Sequence, residues 1–307
     1  MPPRRQSGMR YGPDLFGKHI FRVRESHVRD HIAPLLSTNG LGAARVDLLL
    51  RGLALSPAHL GNRTTPGLVV GRPGYDELHD VVRPAGYYDP DEPFDDDEGD
   101  AKVRRLKRKW FGSQLRKLEN LDLLERVERP GSRPDLTVLR DDGTGAPYDD
   151  PDGKDGASYV TILGGIFATG AIREWSAPEL VAYLAAMIAE RFESARMRRH
   201  DLKVPPVGAG EWFRPLWWFA DPDRRRPDAN VRVPFAVATL ERGIARHVAN
   251  GLIARRQERR DPLTGRRFRT GPRNVYSNRF AALNEAAGID LSRLDDQLGA
   301  LVRTSRS

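Results

Sequence analysis

The sequence predicts an α+β chain in which one unit, a helix followed by a turn and a two-stranded hairpin, occurs twice in tandem before C-terminal helices. Three observations lead there. Leu115–Arg126 (LRKLENLDLLER) and Ile244–Arg255 (IARHVANGLIAR) echo one another. Each echo runs as an amphipathic helix, stops at Asn, Asp or Gly, and enters a strand with two adjacent apolar residues, Leu123–Leu124 or Leu252–Ile253. Amphipathic helices stand upstream of both. At 307 residues the chain has room for two domains.

Residues 1–25 form a basic N-terminal arm, and the first domain is expected over 26–140. Its first helix is Ala43–Leu55, with Val46, Leu49, Leu50 and Leu53 on one face. Asp89–Asp100 (DPDEPFDDDEGD) holds eight acids and no base, and is expected to be a solvated loop inserted at 89–100 that can lie over the next segment. That segment, Lys102–Lys117, holds eight bases and no acid. The helix Leu106–Asn120 buries Phe111, Leu115 and Leu118 in this reading. Strands Leu123–Arg129 and Asp135–Arg140 then flank a Pro-Gly-Ser-Arg-Pro turn.

Asp141–Gly156, acidic and glycine-rich, reads as a linker at 141–156. The second domain spans 157–280. Ser158–Phe167 is expected to be a short strand pairing with the hairpin, and Pro178–Phe192 a helix capped by Ser176 with Glu179 three residues on. Trp212–Phe219 (WFRPLWWF) is expected to fill the core around a middle helix. Phe235–Asn250 buries Val237, Leu240, Ile244 and Val248, and Leu252–Arg259 turns through DPLTG to a return strand ending at Asn274–Ser277. Residues 281–307 hold helices near 279–287 and 291–302, which could dimerise or pack on the second domain.

A formal charge of +8 points to a polyanionic partner. With no cysteine, disulfides, thiolate zinc sites and cysteine nucleophiles are excluded. No apolar stretch suits a signal peptide or a membrane span, so a soluble, cytoplasmic and nucleoid-associated protein with no membrane partner is expected.

Helix, strand, turn and strand is the order of a winged helix. Both units resemble the winged-helix DNA-binding superfamily, and their pairing, with YVTILGGIF followed by SAPELVAYLAAMIAERF, resembles plasmid replication initiator proteins. The resemblance covers about residues 40–140 and 157–280, the acidic insertion departing from the compact pattern. It implies two winged helix-turn-helix domains in tandem binding double-stranded DNA, as a transcription regulator or in DNA replication as an origin binder. In that fold the second helix of the helix-turn-helix enters the major groove. The residues expected at the DNA are Lys107, Lys109, Trp110, Ser113, Gln114 and Lys117 in the first unit, and Thr239, Arg242 and Arg246 in the second. The second hairpin adds Arg259, Arg260, Arg266, Arg267 and Arg269, suited to phosphates or a narrow minor groove. The rival reading is a non-catalytic adaptor docking an acidic protein surface.

No catalytic site is expected. The sequence has no G-x-x-x-x-G-K-[ST] phosphate loop, and Gly208-Ala209-Gly210 lacks the third glycine of a dinucleotide fingerprint. His27 and His31 have zinc-binding spacing, but Val28 stands where a zincin has its glutamate. Asp150, Asp152 and Asp155 miss the calcium-loop spacing. Neither metal nor cofactor is therefore expected.

Overall fold

The computed structural model describes residues 20–54, 75–83, 97–127, 135–149, 151, 159–200, 237–260, 267 and 273–286. They form a mixture of helices and small antiparallel sheets. The first strand is β1 (Ile20–Arg24), which runs into a helical stretch whose middle turn, Val28–Ile32, is π-wound. Then come α1 (Leu41–Ala54), α2 (Tyr75–Val82) and α3 (Asp97–Glu119), followed by the hairpin of β2 (Leu124–Val127) and β3 (Asp135–Val138). The second half holds β4 (Tyr159–Leu163), α4 (Ala177–His200), α5 (Val237–Ala249) and the hairpin of β5 (Ile253–Glu258) and β6 (Arg273–Asn278), the same order without a described counterpart of α2. The last described helix, α6 (Ala281–Ala286), lies against the second half: Asn284, fully buried, accepts a 2.8 Å hydrogen bond from the Gly165 N–H through Oδ1. The expected helix at 291–302 and the segment Trp212–Phe219 lie outside the described residues.

The echo extends to the backbone. Asp122 and Gly251 both sit at positive φ, 55° and 73°, just past α3 and α5. The Leu123 N–H reaches back to the Leu118 carbonyl at 3.0 Å, as Leu252 does to His247 at 2.9 Å. Each hairpin closes on this turn, Leu139 donating to the Leu123 carbonyl and Arg279 to that of Leu252, both at 3.0 Å. A left-handed residue past the helix satisfies its last carbonyls and fixes the exit direction of the chain. Both hairpins therefore leave their helices in the same way.

Three expectations change. β4 does not pair with the second hairpin; it pairs antiparallel with β1, part of the segment expected to be a basic arm. Phe21 faces Ile162 and Val23 faces Val160, all four buried, so the two strands share one apolar face, while β5 and β6 complete each other. The acidic block is not wholly loop, since Asp97–Asp100 begin α3. Acids are favoured there by the positive end of the helix dipole. The first half of the expected linker is packed: Leu139 bridges Pro147, and Tyr148 is buried, donates its hydroxyl to the Arg22 carbonyl and lies 4.6 Å beneath the Arg51 guanidinium.

α1 is buried around its whole circumference from Ala43 to Leu53, including Arg45, Asp47 and Arg51. Arg45 donates to the carbonyls of Arg173 (3.1 Å) and Trp175 (2.5 Å) in the second half and to Val82 (3.5 Å) in the first. Burial lowers its guanidinium to about 10, with Arg173 adding and Glu174 opposing. Half of the expected capping box is present: Glu179 Oε2 accepts from the Ser176 N–H at 2.8 Å, while the Ser176 hydroxyl donates to the same carboxylate oxygen at 2.6 Å rather than accepting from the Glu179 backbone N–H.

Candidate nucleic-acid interface

α3 is apolar on one side and cationic on the other. Phe111, Leu115 and Leu118 are buried, whereas Arg105, Lys109, Ser113, Arg116 and Lys117 are exposed. Arg105, Lys109, Ser113 and Lys117 repeat every fourth residue, so they lie along one face. Lys107 is half-buried.

Two residues expected at the surface turn inward. Gln114 is only 6% exposed and half-buried Trp110 meets the buried His79 ring edge-on, centroids 5.0 Å apart. The reason is Gly42 at the start of α1: a Cβ there would lie 2.8 Å from Gln114 Oε1 and 2.9 Å from the Trp110 ring. The missing side chain leaves room into which both residues fold. Ser113 also differs from expectation, because its hydroxyl donates to the Trp110 carbonyl at 2.7 Å and accepts from Gln114 Nε2 at 2.9 Å. Its hydroxyl proton is engaged by its own helix.

α5 shows the same division, with Gly243, Ile244 and His247 buried and Arg242 and Arg246 exposed. Thr239 lies on α5, but its side chain is outside the described residues. Two contacts set this helix on α4. Gly243 faces the Pro178 carbonyl so closely that any Cβ would overlap it. His247 donates from Nε2 to the Glu179 carbonyl at 2.8 Å and meets the rings of Trp175 and Phe280 edge-on, at 5.0 and 4.9 Å. Burial lowers its pKa, with the Glu179 carbonyl opposing, so the ring is a neutral structural donor.

Relative to their left-handed turn residues, Lys117 and Arg246 occupy the same position, and so do Ser113 and Arg242. In the second hairpin Arg255, Arg259, Arg260 and Arg267 are exposed, Arg260 bridging Arg267 across the strands. Arg266 and Arg269 lie outside the described residues. In the first hairpin Arg126 is held by Glu119 at 2.9 Å.

One cluster escapes a motif search. His27 Nε2 lies 2.7 Å from Asp47 Oδ2, and Arg51 Nε reaches both Asp47 oxygens at 3.1 Å, all buried. The His27 and His31 rings stand 5.3 Å apart, but His27 is engaged by Asp47. Asp47 and Arg51, one turn apart within a largely apolar helix, were the available signal. Among the described residues no group of three or more His, Cys, Asp or Glu could hold a metal, and no helix is long and apolar enough to cross a membrane.

Comparison with known proteins finds no matching family model, no similar curated protein and no similar solved structure.

Proposed function

We propose that the chain binds double-stranded DNA sequence-specifically through two winged-helix units, as a transcription regulator or as a replication-initiator-like origin binder. One observation carries this reading: in both repeats the helix before the hairpin exposes cations at the same position, Lys117 and Arg246, on a side opposite its buried stripe. An exposed helix face with adjacent arginine-bearing strands suits a major groove flanked by phosphates. The second unit is the stronger grip, since Arg242 can form the bidentate contact with guanine that Ser113 cannot. Its hairpin adds four exposed arginines, Arg255, Arg259, Arg260 and Arg267.

Fluorescence anisotropy with labelled random-sequence duplexes tests the reading. Binding at low salt that weakens steeply as salt rises is expected. No binding to any duplex at low salt, together with a stable protein partner, would establish the adaptor instead. Genome-wide mapping of bound sites separates regulator from origin binder.

A further inference from the structure

Residues 139–149, expected in part as a linker, form a loop fastened to the first half by buried polar groups. The Tyr148 N–H donates to the Val138 carbonyl at 2.7 Å and the Arg140 N–H to that of Ala146 at 2.8 Å, folding the loop back on β3. From it Asp141 reaches the chain just past β1. Its Oδ2 accepts from the Ser26 hydroxyl at 2.7 Å, and its Oδ1 lies 3.5 Å from Arg24 Nη1. Only 2% of the Asp141 side chain is exposed. The Tyr148 ring, from the same loop, lies against the Arg51 guanidinium.

Where the loop meets α1, four buried polar atoms have no hydrogen-bond partner among the described residues. Arg51 spends Nε on the Asp47 carboxylate, leaving Nη1 and Nη2 as donors. His27 Nε2, 2.7 Å from Asp47 Oδ2, carries the ring hydrogen, so Nδ1 is an acceptor. Asp141 Oδ1, ion-paired but not hydrogen-bonded, is the fourth. These groups are neighbours: Arg51 Nε stands 3.0 Å from His27 Nε2, and Ser26, which holds Asp141, directly precedes His27. Burial pushes the Asp141 carboxyl up, but the Ser26 hydroxyl bond and the nearby His27 and Arg51 outweigh it and hold it below the usual value.

We propose that this junction is an internal hydration site, holding a pair of water molecules that tie the loop at 139–149 to α1. Each of the four atoms is costly to bury unpaired. The set is two donors and two acceptors, and water both accepts and donates. One water between a guanidinium N–H and an acceptor settles one of each, so a pair settles all four. Charge argues against an ion. Asp47 already balances Arg51 and Asp141 balances Arg24, so an added anion would be buried without a counter-charge. A cation would face the guanidinium hydrogens. His27, Asp47 and Arg51 are at most 1% exposed, so the ligand is one small enough to enter through brief openings. The loop is then bonded to the core of the first half through water as well as directly. This inference stands apart from the DNA-binding reading.

Magnetic relaxation dispersion of water counts the molecules held inside a protein for longer than it takes to tumble. Buried waters occur at about one per 27 residues, so the count on the full-length chain is read as a difference. Asp47→Leu combined with Arg51→Met removes the donors without stranding a charge, and should lower the count by the pair. His27→Phe removes the Nδ1 acceptor while keeping a ring, and should lower it by a single water. Crystals of the unmodified protein, grown with bromide in place of chloride, decide the matter even if neither variant folds. They should show a pair of waters within hydrogen-bond distance of the Arg51 Nη atoms, His27 Nδ1 and Asp141 Oδ1. Anomalous bromide signal there would make this an anion site instead. Direct protein contacts closing the junction, or an unchanged count in folded variants, would likewise overturn the proposal.

Discussion

His27 and Asp47 meet 2.7 Å apart without contact with solvent, the histidine from the π-wound approach to α1 and the carboxylate from α1 itself. With Nε2–H donating to Asp47, His27 Nδ1 is a buried lone pair without a hydrogen-bond partner. Burial, with Arg51 adding and Asp47 opposing, holds this histidine below its ordinary 6.5. Protonation therefore favours the unfolded chain: stability is full above about pH 6.5 and falls as pH drops through the range between the unfolded and depressed folded values. Urea midpoints at pH 7.5 and 5.5 check this. His27→Gln should show a shallower decline, though not none, because His247 is depressed by burial in the same sense.

Asp47 is held well below the usual carboxylate range: burial pushes it up, but Arg51 and His27 outweigh that. Asp47→Ala leaves the Arg51 guanidinium buried and without its counter-charge, a loss of about 3–5 kcal/mol. Asp47→Ala combined with Arg51→Met should recover much of it. Equal destabilisation of the single and double variants in urea would show that the charge pairing is not what holds this region.

Helical glycines should respond in opposite directions. Gly112→Ala, in α3 with nothing within 4 Å of the new methyl, should stabilise by about 0.5–1 kcal/mol through helix propensity. Gly243→Ala, equally favoured by propensity, should destabilise by about 1–3 kcal/mol because the methyl overlaps the Pro178 carbonyl. Thermal melts of the two variants give the sign directly.

The turns after α3 and α5 should show a matched asymmetry. Asp122→Gly relieves a side chain held at φ 55° and should stabilise by several tenths of a kcal/mol, whereas Gly251→Ala should cost about 1 kcal/mol. Chemical denaturation of both variants tests whether the two turns are energetically equivalent.

On DNA, Arg242→Ala should weaken the preferred duplex by about 1–3 kcal/mol and relax its sequence preference. Arg259→Ala and Arg260→Ala should weaken all sequences more evenly, each lowering the salt-dependence slope by about one. Anisotropy titrations on selected and scrambled duplexes at several salt concentrations separate these outcomes.

The repeated helix and hairpin were legible because their determinants are local. The stripe of Phe111, Leu115 and Leu118 and the turns at Asp122 and Gly251 are set within a few residues. The partnership of β1 with β4 was not, since the alternation in IFRVR and YVTIL fixes a face but names no partner across so long a stretch of chain. Gln114 was misplaced for a subtler reason: helical periodicity puts it at the edge of the cationic face, and only the missing side chain of Gly42, on another helix, lets it turn inward. The stripe of Val46, Leu49, Leu50 and Leu53 marks one buried face of α1, whereas the burial of Arg45 and Arg51 follows only from elements that enclose the helix on its other sides.

That enclosure of α1 sets its exchange behaviour. Amides on a helix with an exposed flank can trade their hydrogens during partial openings, but the backbone from Ala43 to Leu53 has no side from which to open alone. Its protons should leave only when strands and helices from both halves separate together. Deuterium uptake in α1 would thus act as an internal gauge of whole-protein unfolding, against which looser elements can be timed.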